Sequence, residues 1–254
     1  MDYVKINSVR WDEHVEEGYV WTRPVSSESI QNAKNGEWSL LLTPKKAVPR
    51  DWFPDNINGK NVLLIAGGGG QQAPILAAVG AIVTVFDNSR KQLEQDEFVA
   101  KREGLNIKTM QGNMQDLSAF ADESFDFIMQ FAGGFVDSVL PVWKEAYRVL
   151  KKGGTMIAGH NNPLECIFDI EALEEKREFI VRHKIPYSDV ESLTHDEFER
   201  ITKNEGVFFG HTLHDLIQGQ VDAGFLIAGF YEDCGCSALD EYISTFFATK
   251  AIKH

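Results

Sequence analysis

Four consecutive glycines, Gly67 to Gly70, follow the apolar run Val62 to Ile65, and the next apolar run ends in Asp87. Residues of these types at this spacing bind nucleotides. Glycines let the main chain turn sharply and come close to a ligand, because no Cβ stands in the way. A carboxylate at the tip of the following strand can accept two hydrogen bonds from a ribose diol, and Asn88 lies beside it. The order is strand, glycine turn, helix, strand, acidic tip, which is half of a nucleotide-binding α/β fold. It predicts an adenosine-containing cofactor.

The glycine turn alone does not choose the cofactor. Gly68 to Ala73 matches the dinucleotide pattern G-x-G-x-x-(G/A), and Asp87 stands at a suitable distance for an NAD-type ribose contact. Tyr147 and Lys151 have the spacing of a short-chain dehydrogenase pair, but any two residues four apart on a helix surface share it. An NAD(P)-dependent oxidoreductase therefore stays open as an alternative. His160 closes an apolar run on the edge where chemistry is expected, and it can act as a general base at neutral pH. His211 and His214 have i, i+3 spacing, and Cys234-Gly235-Cys236 lacks a partner pair. Surface histidines and free thiols explain both, so no metal is expected.

The elements that must position these residues follow from periodicity. Residues 1–58 are rich in Trp and broken by Pro24, Pro44, Pro49 and Pro54. They predict short helices over 12–17 and 27–35 and an extended stretch over 37–43, together forming a lid over residues 59–254. Strands are predicted over 61–66, 82–87, 106–110, 125–130 and 155–160. Helices are predicted over 72–79, 90–103 and 136–150, with Gly80 and Gly104 as stops. Residues 161–210 are charged and irregular and read as an insertion capping the acceptor site. A helix over 213–223 and strands over 224–231 and 244–251 complete the pattern. The last two are joined by too short a link for a crossover, so they pair antiparallel. The expected fold is α/β, with a doubly wound, mainly parallel seven-strand sheet whose last strand is antiparallel.

Composition narrows the partners. The 254 residues carry a formal net charge of −13. That argues against a nucleic-acid phosphate backbone and against an anionic membrane surface. No apolar run reaches the roughly 20 residues that span a bilayer. The first residues lack a signal-peptide pattern, and three cysteines without framework spacing suit reduced thiols in the cytoplasm.

Three further motifs separate the cofactors. Gln111 to Leu117 follows the third strand, Ser124 to Met129 forms the fourth, and Lys144 to Gly159 joins a helix to the fifth. In this order, over about residues 59–160, they resemble the class I S-adenosylmethionine-dependent methyltransferases. The likeness is to the small-molecule type that includes the quinone-biosynthesis enzymes. Trp21, Leu42-Thr43-Pro44 and Val48 to Pro54 are similar to uncharacterised bacterial methyltransferase-like proteins.

The resemblance implies S-adenosylmethionine as cofactor and methyl transfer to a small-molecule acceptor. It assigns Ala66, Gly67, Gly68, Gly69 and Gly70 to the cofactor turn, and Asp87 and Asn88 to the ribose. Asn113 and Met114 fall to the adenine, and Gln71 and Gln72 to the methionine carboxylate. The chain departs from the family where an acid and a first glycine are usual, at Leu64 and Ala66. Main-chain carbonyls near Ala66 and Gln130 are then the expected acceptors for the methionine ammonium. Those departures also leave open a non-catalytic S-adenosylmethionine-binding protein.

Overall fold

The computed structural model describes residues 1–131, 133–235 and 237–254. The expected Cys-Gly-Cys motif thus reaches beyond them at Cys236. The strands are β1 (Asn61–Ile65), β2 (Ile82–Asp87), β3 (Ile107–Gln111), β4 (Phe125–Gln130), β5 (Leu150–Asn161), β6 (Tyr187–Ser188), β7 (Phe209–Gly210), β8 (Phe225–Asp233) and β9 (Phe246–Lys253). Seven form one sheet in the order β3-β2-β1-β4-β5-β9-β8. β1 to β5 run parallel, and β9 is antiparallel to both of its neighbours. The crossovers are α3 (Gln72–Ala78), α4 (Arg90–Glu103) and α5 (Leu140–Val149), each following a strand and returning over the sheet. Ser89 caps α4 and Gly104 ends it in the left-handed region, as the sequence predicts.

Side chains of a buried parallel strand alternate between two cores. Val62 and Leu64 enter one core, with Leu76, Val85, Phe127 and Ile157. Leu63 and Ile65 enter the other, with Ile128, Trp143, Met156 and Ala158. The first core is closed by residues that precede β1. Trp52 packs on Tyr231 at 5.1 Å between ring centroids, and Phe53 on Phe127 at 5.4 Å. Each such buried aromatic contributes about 1.5–3 kcal/mol. The stretch 36–58 therefore stands in for a missing crossover helix. Only one isolated bridge, Leu41 to Ala47, survives of the extended segment expected there.

The first helix, α1 (Tyr3–Glu17), is much longer than the predicted 12–17. It lies across the start of α4: Asp12 accepts from the Ser89 hydroxyl and the Lys91 amide, and Asn88 donates to the Val4 carbonyl. The second helix, α2 (Ser27–Lys34), packs on α3.

Residues 161–210 contain α6 (Ile170–Lys176), α7 (Asp189–Ser192), α8 (His195–Glu205) and the β6–β7 pair. They dock on α1. Asn7 exchanges hydrogen bonds with the Val207 main chain, and Arg10 donates to the Asn204 carbonyl. The helix expected over 213–223 is a π-turn, His214–Gln218, followed by α9 (Gly219–Asp222). Among the described residues, no helix is long and apolar enough to cross a membrane.

Candidate active site

The glycine turn leaves β1 at Ala66, which takes a positive φ of 53°. A non-glycine residue there costs roughly 1–2 kcal/mol, so the turn is held from several sides. The Gly68 amide donates to Asp87 Oδ2 at 3.0 Å, and the Ser89 amide to Asp87 Oδ1 at 2.9 Å. The Gly69 amide donates to the Gln92 carbonyl, and the Val25 amide to the Gly70 carbonyl. Gln71 Nε2 donates to the carbonyls of Val20 and Arg23, each at 3.1 Å. The turn is thus gripped between α4 and the segment 20–25. A Cβ at Gly68 would stand 2.8 Å from Gln92 Cβ, so glycine is required there.

Beside the turn opens a cavity of about 280 Å³. At one end it is walled by Phe86, Asp87, Asn88, Gln92, Asn113 and Met114. Gly67, Gly68, Gln71, Gln72 and Trp21 line the middle. At the far end stand Trp11, Leu42, Thr43, Phe135, Asn161 and Phe246. The β-strand tips, α1 and residues 21 and 41–44 all contribute to its lining.

The structure brings together Ala66, Gly67, Gly68, Gln71, Gln72, Asp87, Asn88, Asn113 and Met114 on this cavity. Gly69, Gly70 and Gln130 do not line it. The two glycines face α4 and the segment 20–25 instead. The Gln130 amide is fully buried and turned onto the Phe131 carbonyl and the Met114 sulfur.

His160 is a correction. It does not line the cavity, because alternation along β5 sends Asn161 to the cavity and His160 to the opposite core. There it meets Trp143, Phe247, Gln220 and Thr249. Burial pushes its pKa down to about 3. It therefore stays neutral, lies off the site and is no base for this cavity. Tyr147 and Lys151 also lie elsewhere, Tyr147 against Phe225 and Lys151 paired with Asp126 at 2.9 Å. Among the described residues, no three His, Cys, Asp or Glu side chains gather as a metal site.

Asp87 is half-buried, and burial raises its pKa, while the amides of Ser89 and Gly68 oppose that rise. Sequence reasoning missed Asp96. This acid on α4 is fully buried, and the main-chain amides of Gly69 and Gly70 are turned toward it and pull its pKa down. Burial first, then the nearby Asp87 charge, holds its pKa well above the usual carboxylate range. Its signal was legible: Leu93, Asp96, Val99 and Ala100 fall on one helical stripe, where an acid is out of place.

The donor set fits a nucleoside cofactor. Each Asp87 oxygen keeps a second lone pair for a diol, the Gln92 side chain lines the cavity beside it, and Met114 and Phe86 offer an apolar wall. A methyltransferase-domain family model matches residues 63–158. The chain is 53% identical over 249 residues to the uncharacterized methyltransferase YbaJ of Bacillus subtilis, covering 97% of each. It is 36% identical over 110 residues to the ubiquinone/menaquinone biosynthesis C-methyltransferase UbiE of Sinorhizobium fredii, covering 41% of this chain and 42% of that one. The fold matches an S-adenosylmethionine-dependent methyltransferase from Mesorhizobium loti with a TM-score of 0.62 at 17% identity, over 80% of this chain and 95% of that one. The chain belongs to the class I S-adenosylmethionine-dependent methyltransferases, and S-adenosylmethionine is its cofactor.

Proposed function

We propose that this methyltransferase acts on a small-molecule acceptor, held in the same cavity as the cofactor. The observation that carries the reading is the continuity of that cavity, from Asp87 at one end to Asn161 and Phe246 at the other, beneath α1 and residues 41–44. The enclosure suits a small ligand. The net charge of −13 disfavours a nucleic acid. The partial relative from quinone biosynthesis, by its name, also serves a small-molecule route. The acidic surface and the unpaired cysteines Cys166 and Cys234 suit work in the cytoplasm.

Bound, S-adenosylmethionine supplies a methyl group on a sulfonium, already a good leaving group. The chain's work is alignment and exclusion of water. Asp87 accepts from the ribose hydroxyls. Asn113 and Met114 border the adenine, although Asn113 Oδ1 already accepts from the Gln115 amide at 3.1 Å. Gln71 spends its amide on residues 20 and 23, so Gln72 is left for the methionine carboxylate. Phe131, against Gly67, and Phe135 shield the transfer path.

Calorimetry tests the reading. S-adenosylhomocysteine should bind with a micromolar dissociation constant, and NAD should not displace it. Tight NAD binding without a response to S-adenosylhomocysteine would sink the proposal.

A further inference from the structure

The far end of the cavity has an unusual chemistry for an enzyme site. Its walls are Trp11, Leu42, Phe131, Phe135, Val136 and Phe246, and besides the Trp11 indole N–H the polar side chains there are Asn7, Thr43 and Asn161. Asn7 has committed its amide to the carbonyls of Phe135 and Val207 and to the Val207 amide. The buried Thr43 hydroxyl donates to the Tyr231 hydroxyl. Asn161 remains. It hydrogen-bonds the Glu165 carboxyl, which stands outside the cavity, so a ligand meets an amide and not an acid. Among the described residues that line the cavity there is no Lys, Arg or His, and the one ionisable side chain is Asp87 at the opposite end.

Two consequences follow from general chemistry. An acceptor bearing a carboxylate or phosphate would bury an anion with no cationic side chain of the protein to meet it, which costs several kcal/mol. An acceptor whose nucleophile appears only after deprotonation would find no base on the walls at that end, since Glu165, its pKa raised to about 7 by burial, touches the cavity only through Asn161. From this we infer that the acceptor is an uncharged, ring-sized, largely apolar molecule that brings its own free lone pair, as a heteroaromatic nitrogen does. Its lone pair forms the new bond to the methyl carbon. The carbon–sulfur bond breaks with its electron pair going to sulfur, and the acceptor takes up the positive charge. The aromatic walls tolerate that charge, because ring faces attract cations. Asn161 orients the ring through one hydrogen bond.

The inference rests on the small-molecule methyltransferase reading and is tested separately from it. The full-length protein is first saturated with S-adenosylhomocysteine, then titrated with quinoline and with quinolinecarboxylate at neutral pH. Quinoline should bind more tightly by about tenfold or more. Equal or tighter binding of the carboxylate, or no binding of quinoline, overturns the inference. In Phe246→Arg, which places a cation at that end, the order should reverse. A folded, S-adenosylhomocysteine-binding Phe246→Arg variant that still prefers quinoline also counts against it. If that variant loses its fold, the wild-type comparison decides. Failure of the wild type to bind S-adenosylhomocysteine would instead strike the cofactor reading itself.

Discussion

The tips of β2 and β5 each carry a titratable residue deep in the protein, and they end in opposite places. Asp87 opens onto the cavity and is held by the amides of Gly68 and Ser89. His160 is packed into the core beside Trp143 and Phe247, and its Nδ1 has no partner. Burial drives both toward their neutral forms, but only Asp87 has donors that favour its charge. Position at a strand tip is therefore not enough to make a residue chemical. Its parity along the strand and the donors around it decide.

The largest expected effect breaks the comparison at the β2 tip. Asp87→Ala removes the ribose acceptor and the anchor of the Gly68 amide together. S-adenosylhomocysteine binding should weaken by about 1.5–3 kcal/mol, roughly ten- to a hundredfold. Some stability should go with it, because the turn loses its hold. An unchanged dissociation constant by calorimetry would leave Asp87 as a loop anchor and nothing more.

Asp96 and His160 sharpen the contrast through opposite pH slopes. Asp96 has a raised pKa when folded, so above the ordinary carboxylate range the folded chain holds a proton that the unfolded chain has released. Its contribution is lost as pH rises. Asp96→Asn should therefore stabilise the protein at mildly alkaline pH and flatten that loss. Urea unfolding that shows a destabilised variant there would mean that the carboxylate is satisfied as an anion.

His160 runs the other way. With a folded pKa of about 3, it stays neutral where the unfolded chain takes up a proton, so stability falls as pH drops below the ordinary histidine value of 6.5. His160→Gln should flatten the urea midpoint between about pH 6 and pH 4 and leave cofactor affinity alone. A large loss of cofactor affinity in a folded variant would restore His160 to the site.

The smallest effect lies where β1 meets the turn. Ala66→Gly relieves a positive φ but gives the unfolded chain more freedom, so the two terms nearly cancel. A gain of a few tenths of a kcal/mol is expected in thermal unfolding. A clear loss of stability would show that the Ala66 methyl packs usefully.

The sheet was legible because its strands read as apolar runs and the first two crossover helices stop at Gly80 and Gly104, whereas α5 runs straight into β5 at Leu150. β2 and β4 fall on their predicted bounds. The start of α1 was hidden because its inward side is polar: Asn7, Arg10 and His14 are its buried residues. Their partners, Val207 and Asn204 among them, lie far along the chain, and no local pattern announces them. The cofactor residues were legible as a motif, whereas the division of labour within it was not. Whether Gln71 faces a ligand or pins the segment 20–25 depends on where the first residues of the chain return. His160 was misplaced because Thr155 to His160 is apolar on both faces, which leaves the parity of β5 unread.

The grip of residues 20–25 on the glycine turn has a consequence in time as well as space. Gln71 and the Gly70 carbonyl bind that strap through the carbonyls of Val20 and Arg23 and the amide of Val25. Loosening the strap and loosening the nucleotide seat are thus a single event. Cutting these three contacts should therefore shorten the time that each spent cofactor stays, which stopped-flow release would read.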